Sequence, residues 1–551
     1  MWFERVRALT LSLTRQRSVT NTEGETSFGP WLYDQLAEWP YFRTRPECLR
    51  LERTLDDRRE RYTVFARVHG AGRRAVALCG HYDTVDVDGY ADLEPYATDP
   101  EALLPRLIER LEREARSAAD LRALADLRSG DYMAGRATLD MKGGLAVGLA
   151  VLERFAAQSQ LEGNLVFVAT PDEEDSSNGM RSAVRQLAEL LPEWGIDLEA
   201  AINLDSGVGE GDDGKAVFLG SVGKVLPSVF FVGRPTHAGA PFDGVNAALL
   251  AAELTRRVEA NPALGDPPGA AEEVAPPPVT LYQTDRRSRY DVTTPATAWC
   301  SYNVLTYTRT PADMLDMMLG ETRAAMDAAL RTLETRAAAY DRVAGAAVHA
   351  HAWTPQVLTW AQLEAQARSR GPAAIARMTA LRDMLAADAT LDIIGLSQRL
   401  IEAAAREAGL AGPAAVLCFA SQYYPQVDLG QGPRAKAFLA AITAGTAAIA
   451  ASHSTRVRLR RHFPGISDMS FFAPQAAGAV EVVIANTPAW GSGLTHDYAA
   501  AARVGTPIAN IGPWGHDYHQ ATERVNMPYS FEVLPALVWG VVNRLLSVRT
   551  P

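Results

Sequence analysis

The sequence predicts an α/β protein, with a mostly parallel, doubly wound sheet into which an α+β lid domain is inserted. Short apolar runs of strand length alternate with stretches of helical periodicity, as they do in βαβ units. The central runs are apolar at almost every position, which suits strands that are covered by helices on both faces. A separate block of strands and helices begins near residue 216 and interrupts the alternation, which indicates the inserted domain.

Length, charge and cysteine usage narrow the class of protein. The 551 residues exceed what one hydrophobic core usually holds, so we expect at least two domains. The net charge of −11 disfavours nucleic acids and membrane surfaces as partners. We find neither a signal peptide nor an apolar run long enough to cross a membrane. The cysteines are far apart, which favours buried free thiols and a cytoplasmic location; they are Cys48, Cys79, Cys300 and Cys418.

The first part of the sheet domain is predicted at residues 1–215, with residues 91–130 as a helical insertion. Its strands are predicted at residues 61–69, 74–80, 164–170 and 199–204. The polar side chains that follow these strands are His81, Asp83, Glu173, Glu174 and Asp205. Because open α/β sheets bind ligands beyond the carboxyl ends of their strands, we expect these side chains to meet at one edge.

The lid and the return to the sheet domain come next. Residues 216–358 are predicted to form the lid, and residues 359–410 a helical extension without a chemical cluster of its own. Residues 411–551 are assigned to the second part of the sheet domain. Its strands are predicted at residues 414–419, 480–484 and 507–511. His519 follows the last of them and is therefore expected at the same edge.

The stretch from Gly135 to Gly144 reads Gly-Arg-Ala-Thr-Leu-Asp-Met-Lys-Gly-Gly. It places Asp140 just before a predicted helix at residues 145–155. The paired glycines permit a sharp and closely packed turn. A single aspartate at such a place is most often a helix N-cap. The histidines and carboxylates at the strand ends change this interpretation, because together with Asp140 they form a set that suits metal binding.

Zinc binds imidazole nitrogen and carboxylate oxygen. The side chains with this chemistry are His81, Asp140, Glu174, Asp205 and His519. A carboxylate that can bridge two ions, with one ligand pair for each ion, is the requirement of a co-catalytic two-metal site. Asp83 comes two residues after His81 and is placed to orient its imidazole. Glu173 is placed to act as a base toward a water molecule.

These segments resemble the di-zinc aminoacylase/carboxypeptidase family (peptidase family M20), which includes aminoacylases, carboxypeptidases, dipeptidases and desuccinylases. The segments that carry the resemblance are the Gly135 stretch, Gly80-His-Tyr-Asp-Thr, Pro171-Asp-Glu-Glu, Asn203-Leu-Asp-Ser, Arg234-Pro-Thr-His-Ala-Gly, Gly465-Ile-Ser-Asp and Asn510-Ile-Gly-Pro with His519. The match looks closest to the RocB-like arginine-utilisation branch, because of the helical insertion before Asp140, Pro276-Pro-Pro-Val-Thr and Gly512-Pro-Trp-Gly.

The resemblance implies a zinc exopeptidase-like catalytic domain that holds two Zn²⁺ per chain, with Co²⁺ or Mn²⁺ as alternatives. It implies that His81 and Asp205 hold one ion and that Glu174 and His519 hold the other. Asp140 would bridge the two ions.

Three further roles follow from the resemblance. Glu173 would be the general base, and Asp83 would orient His81. His237, on the lid, would bind the oxyanion of the tetrahedral intermediate, which in this family often happens across a dimer. A homodimer through the lid domain is therefore expected.

The chain departs from the family's pattern on a lid strand, at the last histidine and in residues 359–410, a stretch that exceeds a minimal member. The family often has an Asp-x-Arg element on a lid strand, where the arginine binds a substrate carboxylate. Here that region runs from Tyr302 to Arg309, so Asn303 and Arg309 are only weak candidates for substrate binding. His516 competes with His519 as a ligand, and we favour His519 because Glu523 follows it at the family-like spacing.

We therefore expect a metal-dependent hydrolase that cleaves an amide or peptide bond in a small amino-acid derivative or short peptide, in arginine or amino-acid catabolism. One alternative is a catalytically idle member that binds an amino acid or a peptide. Another is a deacetylase-like biosynthetic enzyme, which would share the site and differ in its substrate. The presence of Glu173 favours the hydrolases, because a binding protein has no need of a base at that place.

Overall fold

The computed structural model describes residues 2–207, 215–266, 274–287, 289–345, 353–388, 390–473 and 477–547. The chain divides into two compact units. Unit 1 comprises Met1–Ser221, Val427–Pro474 and His496–Pro551, and unit 2 comprises Val222–Gln426 and Gln475–Thr495.

The strands of the described residues are β1 (Leu49–Arg53), β2 (Tyr62–Val68), β3 (Ala71–His81), β4 (Tyr132–Ala134), β5 (Glu162–Thr170), β6 (Asp197–Asn203), β7 (Ala216–Phe218), β8 (Gly220–Ser221), β9 (Gly223–Val225), β10 (Pro227–Val232), β11 (Val279–Asp285), β12 (Thr297–Thr306), β13 (Gln356–Thr359), β14 (Ala414–Phe419), β15 (Val427–Asp428), β16 (Arg458–Arg460), β17 (Ile508–Asn510), β18 (Gly515–His516) and β19 (Arg524–Asn526).

The α-helices are α1 (Trp2–Arg15), α2 (Glu23–Ala37), α3 (Pro40–Arg43), α4 (Pro100–Glu114), α5 (Ala118–Ser129), α6 (Lys142–Ala156), α7 (Asn178–Trp194), α8 (Ala247–Val258), α9 (Pro311–Ala344), α10 (Trp360–Arg368), α11 (Pro372–Ala386), α12 (Ile393–Ala408), α13 (Pro433–His453), α14 (Met469–Phe472), α15 (Ala477–Asn486), α16 (Tyr498–Val504) and α17 (Leu534–Ser547).

Unit 1 is built on an eight-stranded sheet with the order β1-β2-β5-β3-β6-β17-β7-β16. At its centre β3 pairs in parallel with both β5 and β6, and β6 pairs in parallel with β17. The edge strand β1 is antiparallel to β2, which in turn is antiparallel to β5. The predicted α/β class with a mostly parallel sheet is therefore confirmed. The parallel strands at the centre all present their carboxyl ends at one edge.

Both faces of this sheet are buried. Val76 and Leu78 of β3 belong to the large apolar core that also contains residues of α1, α6 and α17. Ala77 and Cys79, which point to the opposite face, are buried as well. This explains why the central strands are apolar at almost every position. All four cysteines of the chain are free and buried, as the sequence predicts.

The predicted insertion at residues 91–130 contains α4 and α5. Asp99 caps α4, and a capping box formed by Ser117 and Asp120 begins α5. The two helices share a small apolar cluster, with Leu103 and Leu107 from α4 and Leu127 from α5. The insertion is thus a part of unit 1 with its own satellite core.

Unit 2 contains a second sheet with the order β11-β12-β10-β14-β13, and β9 pairs with β12. One face packs on α8 and α9 through residues such as Val229 and Phe231. The other face packs on α10 and α12 through residues such as Phe230 and Trp299. The predicted helical extension at residues 359–410 is therefore the helical layer of one face of this sheet.

The predicted boundaries and two strands differ from the structure. The strand at 414–419 was assigned to the sheet domain, but β14 is hydrogen-bonded between β10 and β13 in unit 2. Residues up to Gln426, and Gln475–Thr495, accordingly belong to unit 2. The predicted strand at 480–484 lies within the helix α15. A short, wholly apolar run has no periodicity that separates a strand from a buried helix, which is why the pattern was misleading there.

Among the described residues, α13 is long and apolar enough to cross a membrane, by length and composition alone. Its residues Phe438, Ile442 and Ile449 are buried in the core of unit 1. The helix packs beside α17 there. The burial of these residues within unit 1 therefore explains why one face of α13 is apolar.

Candidate metal centre

The topology of unit 1 brings the ends of three strands together. His81 is the last residue of β3, and Asp205 follows β6, which is a neighbour of β3 in the sheet. Glu173 and Glu174 follow β5, which is the neighbour on the other side. The side chains that the sequence analysis placed at strand ends therefore meet at one edge of the sheet, as expected for parallel strands.

Asp140 reaches this edge from the turn that begins α6. A Cβ atom on Gly144 would overlap the carbonyl oxygen of Leu204, and one on Gly143 would overlap the carbonyl oxygen of Thr138. The two glycines therefore let the first turn of α6 lie directly against the chain that leads to Asp205. This close approach is the physical reason for the paired glycines of the motif.

The first candidate metal-binding group consists of His81, Asp140 and Asp205, and all three side chains are buried. His81 Nε2 lies 3.3 Å from Asp140 Oδ1 and 3.9 Å from Asp205 Oδ1. Asn510 of β17 fixes the Asp205 backbone, because its side chain accepts the Asp205 N–H at 3.1 Å and donates to the Asp205 carbonyl at 2.9 Å.

The second group consists of Asp140, Glu174 and His519. His519 Nε2 lies 3.2 Å from Asp140 Oδ2 and 3.1 Å from Glu174 Oε1. The two oxygens of Asp140 thus face two different histidines. A carboxylate shared in this way has the geometry of a bridging ligand.

The charges of this cluster explain its pKa shifts. Burial and the charge of Asp140 raise the pKa of Asp205 to about 8. Burial lowers the pKa of His519, but its contacts with Asp140 and Glu174 outweigh this effect and raise it to about 10. Burial also raises the pKa of Asp140, while hydrogen bonds from His519 and His81 outweigh it and hold that pKa below its usual value. The raised pKa of Asp205 shows that the buried carboxylates repel one another, and this close spacing is unfavourable unless cations balance their charge.

The donor set fits two divalent metal ions. Each group supplies one imidazole nitrogen and two carboxylates, one of them shared, and the donor atoms of each group lie within 4.8 Å of one another. Mixed nitrogen and oxygen ligands suit zinc and related ions. Divalent cations would also balance the buried negative charge.

Asp83 is fully buried and contacts residues of both groups, His81 and Glu174. Its Oδ1 accepts the backbone N–H of Glu173 at 3.0 Å, and its Oδ2 accepts the N–H of Glu174 at 3.1 Å. His81 Nδ1 lies 3.1 Å from the Asp83 carbonyl oxygen and 3.6 Å from Asp83 Oδ1. The predicted link from Asp83 to His81 thus runs through the backbone as well as the carboxylate. The carboxylate itself holds the Glu173–Glu174 turn.

Glu173 lies beside the cluster and belongs to neither metal-binding group. Its Oε2 is 4.0 Å from His81 Nε2, and the side chain is buried. Burial raises the pKa of Glu173 well above its ordinary value, against the charge of His81 and with a contribution from Asp468. A buried carboxylate with a raised pKa is a stronger base than an exposed one.

Comparison with known proteins identifies the family. The model of the peptidase family M20/M25/M40 matches residues 119–532. The chain belongs to this family. Two proteins of Bacillus subtilis (strain 168) are similar over nearly the whole length. Uncharacterized protein YqjN is 32% identical over 98% of this chain and 96% of its own. Protein RocB is 29% identical over 99% of this chain and 95% of its own. The resemblance to the RocB-like branch is therefore confirmed.

A solved structure shows the same fold. It is the di-peptidase Dug1p from Saccharomyces cerevisiae, with a TM-score of 0.52 and 11% sequence identity. The match covers 100% of this chain and 98% of that chain. At this identity the likeness concerns the fold alone. As a member of peptidase family M20/M25/M40, the chain is a peptidase-type hydrolase whose candidate metal-ligand cluster lies at the strand ends.

The structure separates the two histidines that competed for the ligand role in this M20-family chain. His519 lies in the second metal-binding group. The ring of His516 instead stacks on Tyr132, with centroids 6.0 Å apart, and meets Trp514 edge-on. The cluster therefore contains His519, the histidine that the spacing to Glu523 favoured.

A buried ion pair that the sequence analysis did not single out supports both Asp140 and His519. Arg136 Nη1 contacts Glu523 Oε2 at 2.5 Å, and both side chains are buried. Glu523 Oε1 accepts the backbone N–H of Asp140 at 3.3 Å, while Arg136 Nη2 donates to the His519 carbonyl at 3.3 Å. The signal in the sequence was the arginine directly after Gly135, inside the central motif.

A second ion-pair network connects the insertion to the His519 loop. Arg524, which is buried, contacts Asp126 of α5 at 2.6 Å and Asp517 at 2.5 Å. The insertion thus stabilises the loop that contains His519. The sequence gives no local signal of this contact, because Asp126 and Arg524 are 398 positions apart.

The remaining candidates belong to unit 2. His237 is exposed, and its Nδ1 accepts the N–H of Gly239 at 3.0 Å. Asn303 lies in β12 and is half-buried. Arg309 donates to the Leu264 carbonyl at 2.7 Å and lies 2.9 Å from Met317 Sδ. The contacts of Arg309 thus lie within its own unit, which weakens its candidacy for substrate binding.

Proposed function

We propose that this protein is a zinc-dependent hydrolase that cleaves an amide or peptide bond in a small amino-acid derivative or a short peptide. The observation that carries the proposal is the placement of Asp140 between the two metal-binding groups, with one oxygen toward His81 and the other toward His519. The buried Glu173 beside these groups supports hydrolysis over binding alone.

The proposed reaction assigns a separate role to each group at the metal centre. Two bound zinc ions would polarise the scissile carbonyl group and stabilise the charge that develops on its oxygen. Glu173 would take a proton from the attacking water and later deliver it to the leaving amine. Asp83 would keep Glu173 in place, because it accepts the backbone N–H of that residue. His237 would donate a hydrogen bond to the oxyanion, as the family resemblance implies.

We further propose a homodimer that forms through unit 2. The strand β11 is at one end of the unit 2 sheet. It exposes Val279, Leu281 and Tyr282. Unpaired edge strands with apolar side chains readily pair with another strand. These features support β11 as the interface with a second copy.

The substrate class is tested by a turnover screen. The zinc-loaded protein is incubated with N-acyl amino acids and dipeptides, with arginine derivatives among both, and the products are followed by mass spectrometry. We expect hydrolysis of at least one class, and a Glu173→Gln variant serves as the matched control for contaminating peptidases. Saturable binding of a compound without any hydrolysis would favour the catalytically idle alternative, and cleavage confined to acetylated compounds the biosynthetic one.

We also propose that the protein acts in the cytoplasm and takes part in arginine or amino-acid catabolism. The catabolic role rests on the sequence resemblance to the RocB-like arginine-utilisation branch, and the likeness to protein RocB over nearly the whole chain supports that resemblance. Hydrolysis of arginine derivatives in preference to matched derivatives of other amino acids would support this role.

A further inference from the structure

The segment of residues 16–21 connects α1 to α2 and contacts the segments that supply the metal centre. We call it the N-terminal strap. The family model matches residues 119–532, so the strap lies outside the matched region. Gly24, just beyond it, lies so close to the Arg17 carbonyl that a Cβ would approach that oxygen to 2.6 Å. The chain therefore folds tightly back on itself at this place.

The strap forms a short parallel bridge with the segment that carries Asp83. Thr20 N–H donates to the Thr84 carbonyl at 2.9 Å, and Thr84 N–H donates to the Ser18 carbonyl at 3.1 Å. The Ser18 hydroxyl donates to the Tyr82 carbonyl at 2.5 Å. Two backbone bonds to Thr84 and one side-chain bond to Tyr82, on either side of Asp83, thus fix the strap to the end of β3.

The strap also contacts the other two segments that supply the cluster. Lys142, two residues after Asp140, is buried and donates from Nζ to the Gln16 carbonyl at 2.6 Å. Asn21 Nδ2 donates to Asp175 Oδ2 at 3.1 Å, just after the Glu173–Glu174 turn. The strap therefore contacts the segments that contain Asp83, Asp140 and the Glu173–Glu174 turn, all of them in unit 1.

The contact with the most direct chemical consequence is that of Thr20. Its hydroxyl oxygen lies 2.9 Å from Asp83 Oδ2. The same oxygen is also 2.9 Å from the Thr84 carbonyl, but the charged carboxylate is the stronger acceptor for its single proton. Oδ2 is the oxygen that accepts the Glu174 N–H, while Oδ1 accepts the Glu173 N–H. The Thr20 hydroxyl therefore fixes the rotation of the carboxylate that holds the two glutamates.

We propose that Thr20 is a positioning residue of the reaction, which acts through Asp83 to hold Glu173 and Glu174 in their working orientation. Thr20 is a second donor to Oδ2, beside the Glu174 N–H. Its loss would leave each oxygen of this buried carboxylate with a single amide donor from the turn itself, which weakens the constraint on the rotation of the carboxylate. Glu173 and Glu174 would then shift together, because each is held by one oxygen of Asp83. This inference rests on the proposed function for its kinetic part only.

Thr20→Val is the decisive variant, since it keeps the shape of the side chain and removes the hydroxyl. Thr20→Ser keeps the hydroxyl and serves as the conservative rescue. Thr26→Val is a matched control, because the Thr26 hydroxyl donates to the Thr22 carbonyl at 3.4 Å, within the first turn of α2. The first readout is amide hydrogen exchange of the Glu173 and Glu174 N–H groups in the metal-free protein, which needs neither substrate nor metal.

We expect faster exchange of these two amides in Thr20→Val, by several-fold or more, and wild-type exchange in Thr20→Ser and Thr26→Val. With a substrate from the screen, kcat of zinc-loaded Thr20→Val should fall about ten-fold, as is typical when a residue that orients a ligand is lost, while KM stays near the wild-type value. Thermal unfolding of the variants is measured to verify that they fold.

The outcomes separate the two proposals. Unchanged exchange and unchanged kcat in a folded Thr20→Val protein would overturn the positioning role. A Thr20→Ser protein as impaired as Thr20→Val would also overturn it, because the effect would then come from packing and not from the hydroxyl. If the wild type hydrolyses none of the compounds, the proposed function fails, while the exchange result still decides whether Thr20 holds the two glutamates.

Discussion

Glu523 accepts the backbone N–H of Asp140 with its side chain, although the two residues are 383 positions apart in the sequence. The same carboxylate is paired with the buried guanidinium of Arg136, which in turn donates to the carbonyl of His519. Two candidate metal ligands from distant segments of the chain, Asp140 and His519, are therefore held by one buried ion pair.

Glu523→Gln should weaken metal binding and destabilise unit 1. The amide would still accept the Asp140 N–H, but Arg136 would lose its buried charge partner, which typically costs about 3–5 kcal/mol. Metal affinity should fall about 10- to 100-fold, as is usual for the loss of a supporting partner. Zinc affinity by competition with a chromophoric chelator, together with urea unfolding, measures both effects. Glu532→Gln, which removes the charge of a half-buried glutamate that accepts the Phe3 N–H, is a control; equal affinities for Glu523→Gln and the wild type would contradict the prediction.

Protein that is purified without chelators should contain about two divalent ions per chain, most of them zinc. Asp140→Ala should lose both ions, because Asp140 belongs to both metal-binding groups. Asp205→Ala should retain about one ion, since Asp205 belongs to the first group only. Elemental analysis of the dialysed proteins measures the stoichiometry. Binding of a single ion that Asp140→Ala leaves intact would rule out the shared-ligand arrangement.

The adjacent glutamates should respond differently to the same substitution. Glu173→Gln should keep both ions and lose roughly a hundred-fold or more in turnover, as expected for a general base. Glu174→Gln should weaken the second metal-binding group, because Glu174 Oε1 lies 3.1 Å from His519 Nε2. Parallel elemental analysis and turnover measurements distinguish these results. The reverse pattern would exchange the two assignments.

His237→Ala should fold, retain its metal ions and be nearly inactive, because loss of an oxyanion donor typically costs about a hundred-fold or more in rate. A mixture of inactive His237→Ala and inactive Glu173→Gln tests whether the donor acts across a dimer. Activity should return after subunit exchange if His237 serves the partner's metal centre. A verified heterodimer without activity would place the donor within its own chain, and full activity of the single variant would remove His237 from the mechanism.

Stability should depend on pH through His496. This side chain is buried between Phe471 and Tyr498. Within the described part of the chain, neither ring nitrogen has a hydrogen-bond partner. Burial, together with the charges of Arg181 and Arg185, lowers the pKa of His496 to about 3. The unfolded chain titrates near pH 6.5, so between about pH 6.5 and 3 the unfolded state binds a proton that the folded state does not.

The stabilising contribution of neutral His496 is therefore present above about pH 6.5 and is lost as the pH falls toward 3. His496→Leu should remove this dependence, so its unfolding free energy relative to the wild type should rise by about 1 kcal/mol per pH unit on going from pH 6 to pH 5. Urea unfolding of both proteins at a series of pH values measures the difference. If the unfolding free energies of the two proteins changed with pH in the same way, His496 would take up its proton in the folded state as readily as in the unfolded state. That result would contradict the prediction.

The sequence predicted the sheet of unit 1 better than the organisation of unit 2. The run at 74–80 identified β3, because wholly apolar strands flanked by helical periodicity have few other interpretations. The run at 480–484 failed, because the same composition in α15 fits a buried helix equally well. The assignment of β14 failed for another reason, since its partners β10 and β13 are distant in the chain. Pairing between distant strands leaves no local signal.

The candidate metal ligands are recognisable in the sequence: the histidines and carboxylates stand out by type, by their place after apolar strands and by the glycines that follow Asp140. Which of these side chains meet became visible in the folded chain alone. It brought His519 and not His516 into the cluster, and it placed Glu523, Arg136 and Thr20 around Asp140 and Asp83. This is because the ability to bind a metal is a property of single residues, whereas the contacts that orient a ligand depend on packing between segments that are hundreds of residues apart, as Asp140 and Glu523 are.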